Sequence, residues 1–178
     1  RWIGVKPATD LALAMALIRW ILDNGRYDAA FLSQPGPAAM EAAGEASWSN
    51  ATHLLINDPQ HPRFGTYQRG ADLGWPMPEA PAAAEGKEPA AAVDVYVVQR
   101  TDGSFAPHTE PLPAELFVER RVQAPGLAAS PGDAAPAIAV CTALSKLRTE
   151  ARGKSMDDYA ALCGIPTQQI EELAREFT

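Results

Sequence analysis

The side chains able to do chemistry are few and far apart. Three histidines stand at His53, His61 and His108, and two cysteines at Cys141 and Cys163. No pair of them has the spacing with which one helix face presents two ligands to a metal ion. The histidines therefore read as surface or hydrogen-bonded side chains. The cysteines read as buried, inert thiols, with a disulfide between them left open. The chain has no Gly-x-Ser-x-Gly elbow, phosphate loop or Gly-x-Gly-x-x-Gly turn. What remains is the pair Thr9-Asp10, which follows the extended stretch Trp2-Ile3-Gly4-Val5-Lys6-Pro7 and precedes a strongly apolar run. Either residue suits the N-cap of a helix, where a side-chain oxygen accepts from an orphan backbone N–H.

The elements that must position these residues follow from periodicity. Leu11, Met15, Ile18 and Leu22 recur at helical spacing and predict a helix over Leu11–Asn24. Leu13, Leu17, Trp20 and Ile21 spread its apolar face around most of the helix, the pattern of a helix buried inside a larger protein. A short helix is expected at Asp28–Ser33 and one helical turn at 38–43. Ala51–Ile56, Val93–Arg100 and Glu115–Val122 read as strands. Thr101-Asp102-Gly103-Ser104 reads as a hairpin turn, because Asp-Gly accepts positive φ, with Phe105–Thr109 returning antiparallel. Ala137–Arg152, Met156–Cys163 and Thr167–Phe177 are expected to be helices, the last two capped by Ser155 and Thr167. Residues 78–92 hold almost no large apolar side chain and read as a mobile surface loop.

Composition removes several classes. The 178 residues carry 15 Lys+Arg against 22 Asp+Glu, a net charge of −7. Such a chain lacks the cationic surplus that drives general binding to a phosphate backbone. Met156–Leu173 has the rhythm of a helix-turn-helix, but Glu171, Glu172 and Glu176 outweigh Arg175 on its second helix, and DNA would be repelled. The apolar run at Leu11–Leu22 is broken by Arg19 and falls far short of a membrane span. The order of elements contains no complete βαβ series, which argues against a free-standing doubly wound sheet.

Two segments are more specific than their composition. Ile3 to Ala16, "IGVKPATDLALAMA", resembles the Pro-Gly-Thr-Asp-x-Ala-Leu-x-x-Ala-Met signature of the dimethyl-sulfoxide-reductase family of molybdopterin oxidoreductases. Asp157 to Thr178, "DDYAALCGIPTQQIEELAREFT", is similar to a later segment of the same family, and the two occur in family order. The stretches Tyr27–Ser33, Ala43–Ala46, Asn50–Leu54 and Ala71–Gly74 resemble one branch, the large catalytic subunits of tetrathionate reductases.

That resemblance implies an α/β fold (α+β when isolated), with helices at both ends and β-hairpins inserted between. The chain would be an internal piece of a domain that binds molybdopterin guanine dinucleotide. Its parts would be residues 1–33 with the Pro-x-Thr-Asp motif, a β-rich insertion at 51–123, and a helical segment at 137–178. The Met-less start agrees with an excised piece. By resemblance Asp10 faces the guanine end of the cofactor, where a carboxylate matches the two adjacent N–H donors of the base. Thr9 and Lys6 are further candidate contacts, and a plain helix cap is the rival role for Asp10. Gly is usual in the family where Ala8 stands, and Gly tolerates positive φ. No catalytic residue or metal ligand is assigned.

The implied cofactors are bis-molybdopterin guanine dinucleotide with molybdenum or tungsten, and an iron–sulfur cluster in a part preceding this one. The implied reaction is two-electron reduction of tetrathionate to thiosulfate in anaerobic respiration, with polysulfide, arsenate or another sulfur compound as alternatives. The implied partners are the rest of the catalytic subunit, an iron–sulfur electron-transfer protein and a membrane quinol-oxidising subunit, in the periplasm. The isolated piece is expected to be inactive and to pair through apolar surface near Leu11–Leu22. A reading from another class is a cofactor-free protein-interaction domain.

Overall fold

In the computed structural model, the described residues are 3–77, 93–128, 130 and 132–178. The loop expected at 78–92 lies outside them. The fold mixes α and β: the described residues form six α-helices and small antiparallel sheets. They divide into two compact units, Arg1–Asp28 with Lys146–Thr178, and Ala29–Ser145.

The first unit is helical. Helix α1 (Asp10–Asp23) packs on α5 (Met156–Cys163) and α6 (Thr167–Glu176), which also pack on each other. Ala16 is fully buried at this junction, where a small side chain lets helix backbones approach, and Tyr159, Ala160, Cys163, Ile165 and Ile170 surround it. Ile3, Val5, Leu13 and Leu17 pack against that core. Ser155 accepts from the Asp158 N–H, and Asp158 accepts from the Ser155 N–H at 3.0 Å, a reciprocal capping box that starts α5. Hydrogen bonds from the Ser155 hydroxyl and N–H hold the Asp158 carboxyl below its usual range. Gly164 ends the helix in the left-handed region at φ 71°. Thr167 does not cap α6 as expected. Pro166 holds the N-cap position, and the Thr167 hydroxyl donates instead to Asp157 at 2.8 Å. The apolar side of α6 faces the core through Ile170 and Ala174.

The second unit contains the sheets. Helices α2 (Ala29–Leu32) and α3 (Pro37–Ala43) precede β1 (Leu54–Ile56). A hairpin follows, β2 (Val97–Gln99) and β3 (Phe105–Pro107), then β4 (Glu119–Gln123) and β5 (Ala137–Thr142). The larger sheet has the order β1-β5-β4, all antiparallel, with Ile56 opposite Val140 and Val122 opposite Ile138. Leu54, Ile56, Val97, Val118, Val122, Ile138 and Val140 form its core. The segment 66–70 bridges this sheet to the hairpin. Gln68 N–H donates to Leu54 O at 2.8 Å, and Val97 N–H donates to Gln68 O at 3.2 Å. The hairpin turn is as expected, with Gly103 at φ 83° and Asp102 accepting from Ser104 N–H at 2.9 Å.

The expected helix over Ala137–Arg152 is half wrong. Residues 137–142 are the central strand β5, and only Ala143–Ala151 is helix, α4. Ile138, Val140 and Thr142 are β-branched and alternate, so one face of the strand is packed while both edges gain ladder partners. That two-sided pairing outweighs the weak helical preference of the alanines between them. The expected strands at Val93–Arg100 and Glu115–Val122 shrink or shift to Val97–Gln99 and Glu119–Gln123, the stretches that find partners.

Candidate functional site

The Thr9-Asp10 pair sits on a turn that joins the extended N-terminal stretch to α1. Lys6 N–H donates to Cys163 O at 2.9 Å, which fixes the extended stretch beside the end of α5. The chain then reverses at Pro7-Ala8. Ala8 has φ 62° and, among the described residues, is the one non-glycine with positive φ. A Cβ in the left-handed region costs about 1–2 kcal/mol, so the turn is held in a strained conformation by its surroundings.

Those surroundings are specific. The Thr9 hydroxyl turns back to donate to Lys6 O at 2.7 Å, while Thr9 O accepts from Leu13 N–H at 3.0 Å, the first bond of α1. The buried Cys163 thiol points at the same Thr9 carbonyl, 3.9 Å away. The Lys6 stem crosses Gly164 closely: a Cβ at Gly164 would lie 2.8 Å from Lys6 Cε. Its ammonium donates to Ala161 O at 3.1 Å, at the carbonyl end of α5 where a cation is favoured by the helix dipole. Lys6 therefore latches the loop to α5 at both its backbone and its side chain.

Thr9 is the N-cap residue of α1, yet its hydroxyl makes no cap bond, because it is committed to Lys6 O. Asp10 is the first residue of the helix, exposed, and its carboxylate has no partner among the described residues. The first-turn position favours a negative charge. The turn thus offers an unpaired carboxylate and uncapped helix N–H groups on a rigid, strained support. Such a carboxylate suits a ligand edge with two neighbouring N–H donors, and the arrangement fits the guanine end of a dinucleotide.

All three sequence candidates, Lys6, Thr9 and Asp10, fall on this one turn. Only Asp10 keeps its polar group free there. The sequence reading missed the parts played by Gly164, whose missing Cβ admits Lys6, and by Cys163, whose carbonyl and thiol both face the loop. The histidines behave differently from their scattered appearance. His53 and His108 come together in the second unit, with ring centroids 5.2 Å apart. His61 instead accepts from Arg63 N–H at 3.1 Å within its own turn. Among the described residues, no three His, Cys, Asp or Glu side chains gather as a metal-binding group, and no helix is long and apolar enough to cross a membrane.

No protein-family model matches the chain. Over 179 aligned residues it is 37% identical to the A chain component of the tetrathionate reductase of Salmonella typhimurium, covering 100% of this chain and 15% of that protein. It is 28% identical over 178 residues to the corresponding component of the selenate reductase of Mesobacillus selenatarsenatis, again 15% of the relative. It is 30% identical over 176 residues to the same component of the tetrathionate reductase of Archaeoglobus fulgidus, 13% of that protein. The chain spans about 15% of the length of the curated relatives it matches.

Proposed function

The chain belongs to the molybdopterin oxidoreductases, and on that premise we propose that its Lys6–Asp10 turn holds the guanine end of a molybdopterin guanine dinucleotide. The observation that carries this reading is the combination at one turn of a strained Ala8 backbone and an Asp10 carboxylate left without a partner. Asp10 would accept the two N–H donors of the guanine edge. The Thr9 hydroxyl would keep the turn closed through Lys6 O, and Lys6 would keep it docked on α5. The molybdenum centre of such a cofactor supplies the two-electron chemistry. The residues of this chain supply binding and orientation.

For the whole protein we propose the catalytic subunit of a tetrathionate reductase, supported by the 37% identity to a component of one such enzyme. Tetrathionate dianion takes two electrons, its central S–S bond breaks, and two thiosulfate dianions leave. The similarity to a selenate reductase makes selenate the second substrate to test. Each relative is one component of a reductase with several subunits, which agrees with partner proteins that deliver the electrons. We assign to those partners an iron–sulfur protein and a membrane quinol oxidase, with the assembly in the periplasm. A second site of redox metal, an iron–sulfur cluster, would lie in a part of the catalytic subunit outside these residues.

The test is Asp10→Ala in the full-length subunit, read as molybdenum and guanine nucleotide released per protomer. A marked drop in both is expected, with the fold retained. Wild-type cofactor content and activity would remove Asp10 from the guanine site. Reduction of selenate in preference to tetrathionate by the wild-type enzyme would overturn the substrate.

A further inference from the structure

Five aromatic or imidazole rings meet in the unit Ala29–Ser145, and His53 stands at their centre, 2% exposed. Its ring is stacked on Tyr96 at 5.0 Å between centroids and lies edge-on to His108 at 5.2 Å and Tyr67 at 5.6 Å. Trp48 is stacked at 6.5 Å. The Arg69 guanidinium lies 4.1 Å over the Tyr96 ring.

The hydrogen bonds set the proton positions. His53 Nε2 is 2.8 Å from Pro35 O. A carbonyl only accepts, so Nε2 carries the hydrogen. The other nitrogen, Nδ1, is buried and has no hydrogen-bond partner among the described residues. His108 Nδ1 accepts from Tyr96 N–H at 3.1 Å, so its hydrogen is on Nε2. Both rings are therefore neutral. A second proton would enter His53 at a buried nitrogen with no acceptor, or would displace the Tyr96 N–H from His108.

The charged groups acting on His53 are His108 and Arg69, and the one acting on His108 is Arg69. All are cations when charged, and among the described residues no carboxylate offsets them. Tyr67, whose phenol burial pushes up, stays neutral and accepts from Asn50 at 2.6 Å. Burial is the main cause that lowers both imidazoles below their ordinary 6.5. The hydrogen bonds to Pro35 and Tyr96 oppose it, and the neighbouring cations add to it.

His53 is also a tie point for several segments. Its Nε2 holds Pro35, and its carbonyl accepts from Ala143 N–H at 3.0 Å, at the start of α4. Gly36, which follows Pro35, passes so close to the hairpin that a Cβ would lie 2.6 Å from His108 O. We propose that this cluster is an acid-released clamp: neutral His53 binds the Pro35–Gly36 segment and the β2–β3 hairpin to the start of β1, and protonation of His53 and His108 lets them part.

The sign follows from linkage. An opened histidine takes a proton near 6.5, whereas the clamped one takes it only at lower pH. The clamp is at full strength above 6.5 and weakens as pH falls below it. Between about pH 7.5 and 5.5 the opening constant should rise about tenfold for one histidine and up to about a hundredfold for both.

The experiment is amide hydrogen exchange at Val97 and Ala143, corrected for the intrinsic pH dependence, at those two pH values. Wild type should lose protection by at least about tenfold at the acid pH, and so should the control His61→Gln. His53→Gln, which keeps a donor for Pro35 O and cannot titrate, should remove about tenfold of that loss. Adding His108→Gln should remove the rest. Equal protection at both pH values in wild type, or the full acid loss persisting in the double variant, overturns the clamp. Should the variants fail to fold, the wild-type His53 Cε1–H resonance decides. A titration midpoint below 6.5 is expected, and one at or above 6.5 overturns the proposal.

Discussion

Asp10 and His53 each keep one polar group without a hydrogen-bond partner among the described residues, but in opposite settings. The Asp10 carboxylate is exposed, charged, and mounted on a turn whose backbone is strained at Ala8. His53 Nδ1 is buried among rings, neutral, and mounted on the edge of an unstrained strand. A free group in water costs little, so strain beneath it points to a ligand that uses the geometry. A free acceptor in the interior costs desolvation, so it stays only while neutral and becomes a weakness when charged. The first region is built to receive something, and the second is built to hold as long as one proton stays away.

Truncating the two cores should separate the regions most strongly. Leu54→Ala in the sheet unit, or Ile170→Ala in the helical unit, should each cost about 2–5 kcal/mol by denaturant unfolding, because both side chains are fully buried. The Leu54 change should expose the amides around His53 to exchange first, and the Ile170 change those around Lys6 and Cys163. Loss of protection spread evenly over both units would mean that they unfold as one body and that the contrast fails.

Gly164→Ala probes the support of the Asp10 turn. Gly164 has φ 71°, and the new Cβ would press on the Lys6 stem. A loss of about 1–3 kcal/mol is expected, with faster exchange of the Lys6 amide that bonds Cys163 O. Ala8→Gly should act in the other sense and more weakly, adding up to about 1 kcal/mol, since glycine relieves the left-handed strain. A lower melting temperature for Ala8→Gly would contradict the strain assigned to that turn.

The parts of the molecule legible in the sequence are those whose chemistry is local. Ser155, Asp158 and Gly164 announce the bounds of α5 within a single short segment, and Asp102-Gly103 announces the hairpin. Lys6, Thr9 and Asp10 are near neighbours, so they had to share a turn. The strand β5 was not legible, because what makes Ile138–Thr142 a strand is pairing with β1, far upstream in the chain, as well as with β4. The His53 cluster was hidden for the same reason. Residues 53, 67, 69, 96 and 108 meet only after β1, the 66–70 segment and the hairpin have paired. The positive φ of Ala8 was hidden too, since alanine carries no signal for it.

The most direct measurement is the guanine nucleotide and molybdenum content of the purified full-length subunit carrying Asp10→Ala, set beside the exposed control Glu41→Ala. The account predicts a large loss of both for Asp10→Ala, an unchanged melting temperature of the isolated 178-residue chain, and full content for Glu41→Ala. Full cofactor content with Asp10→Ala would contradict it and would leave the strained turn at Ala8 without its assigned ligand.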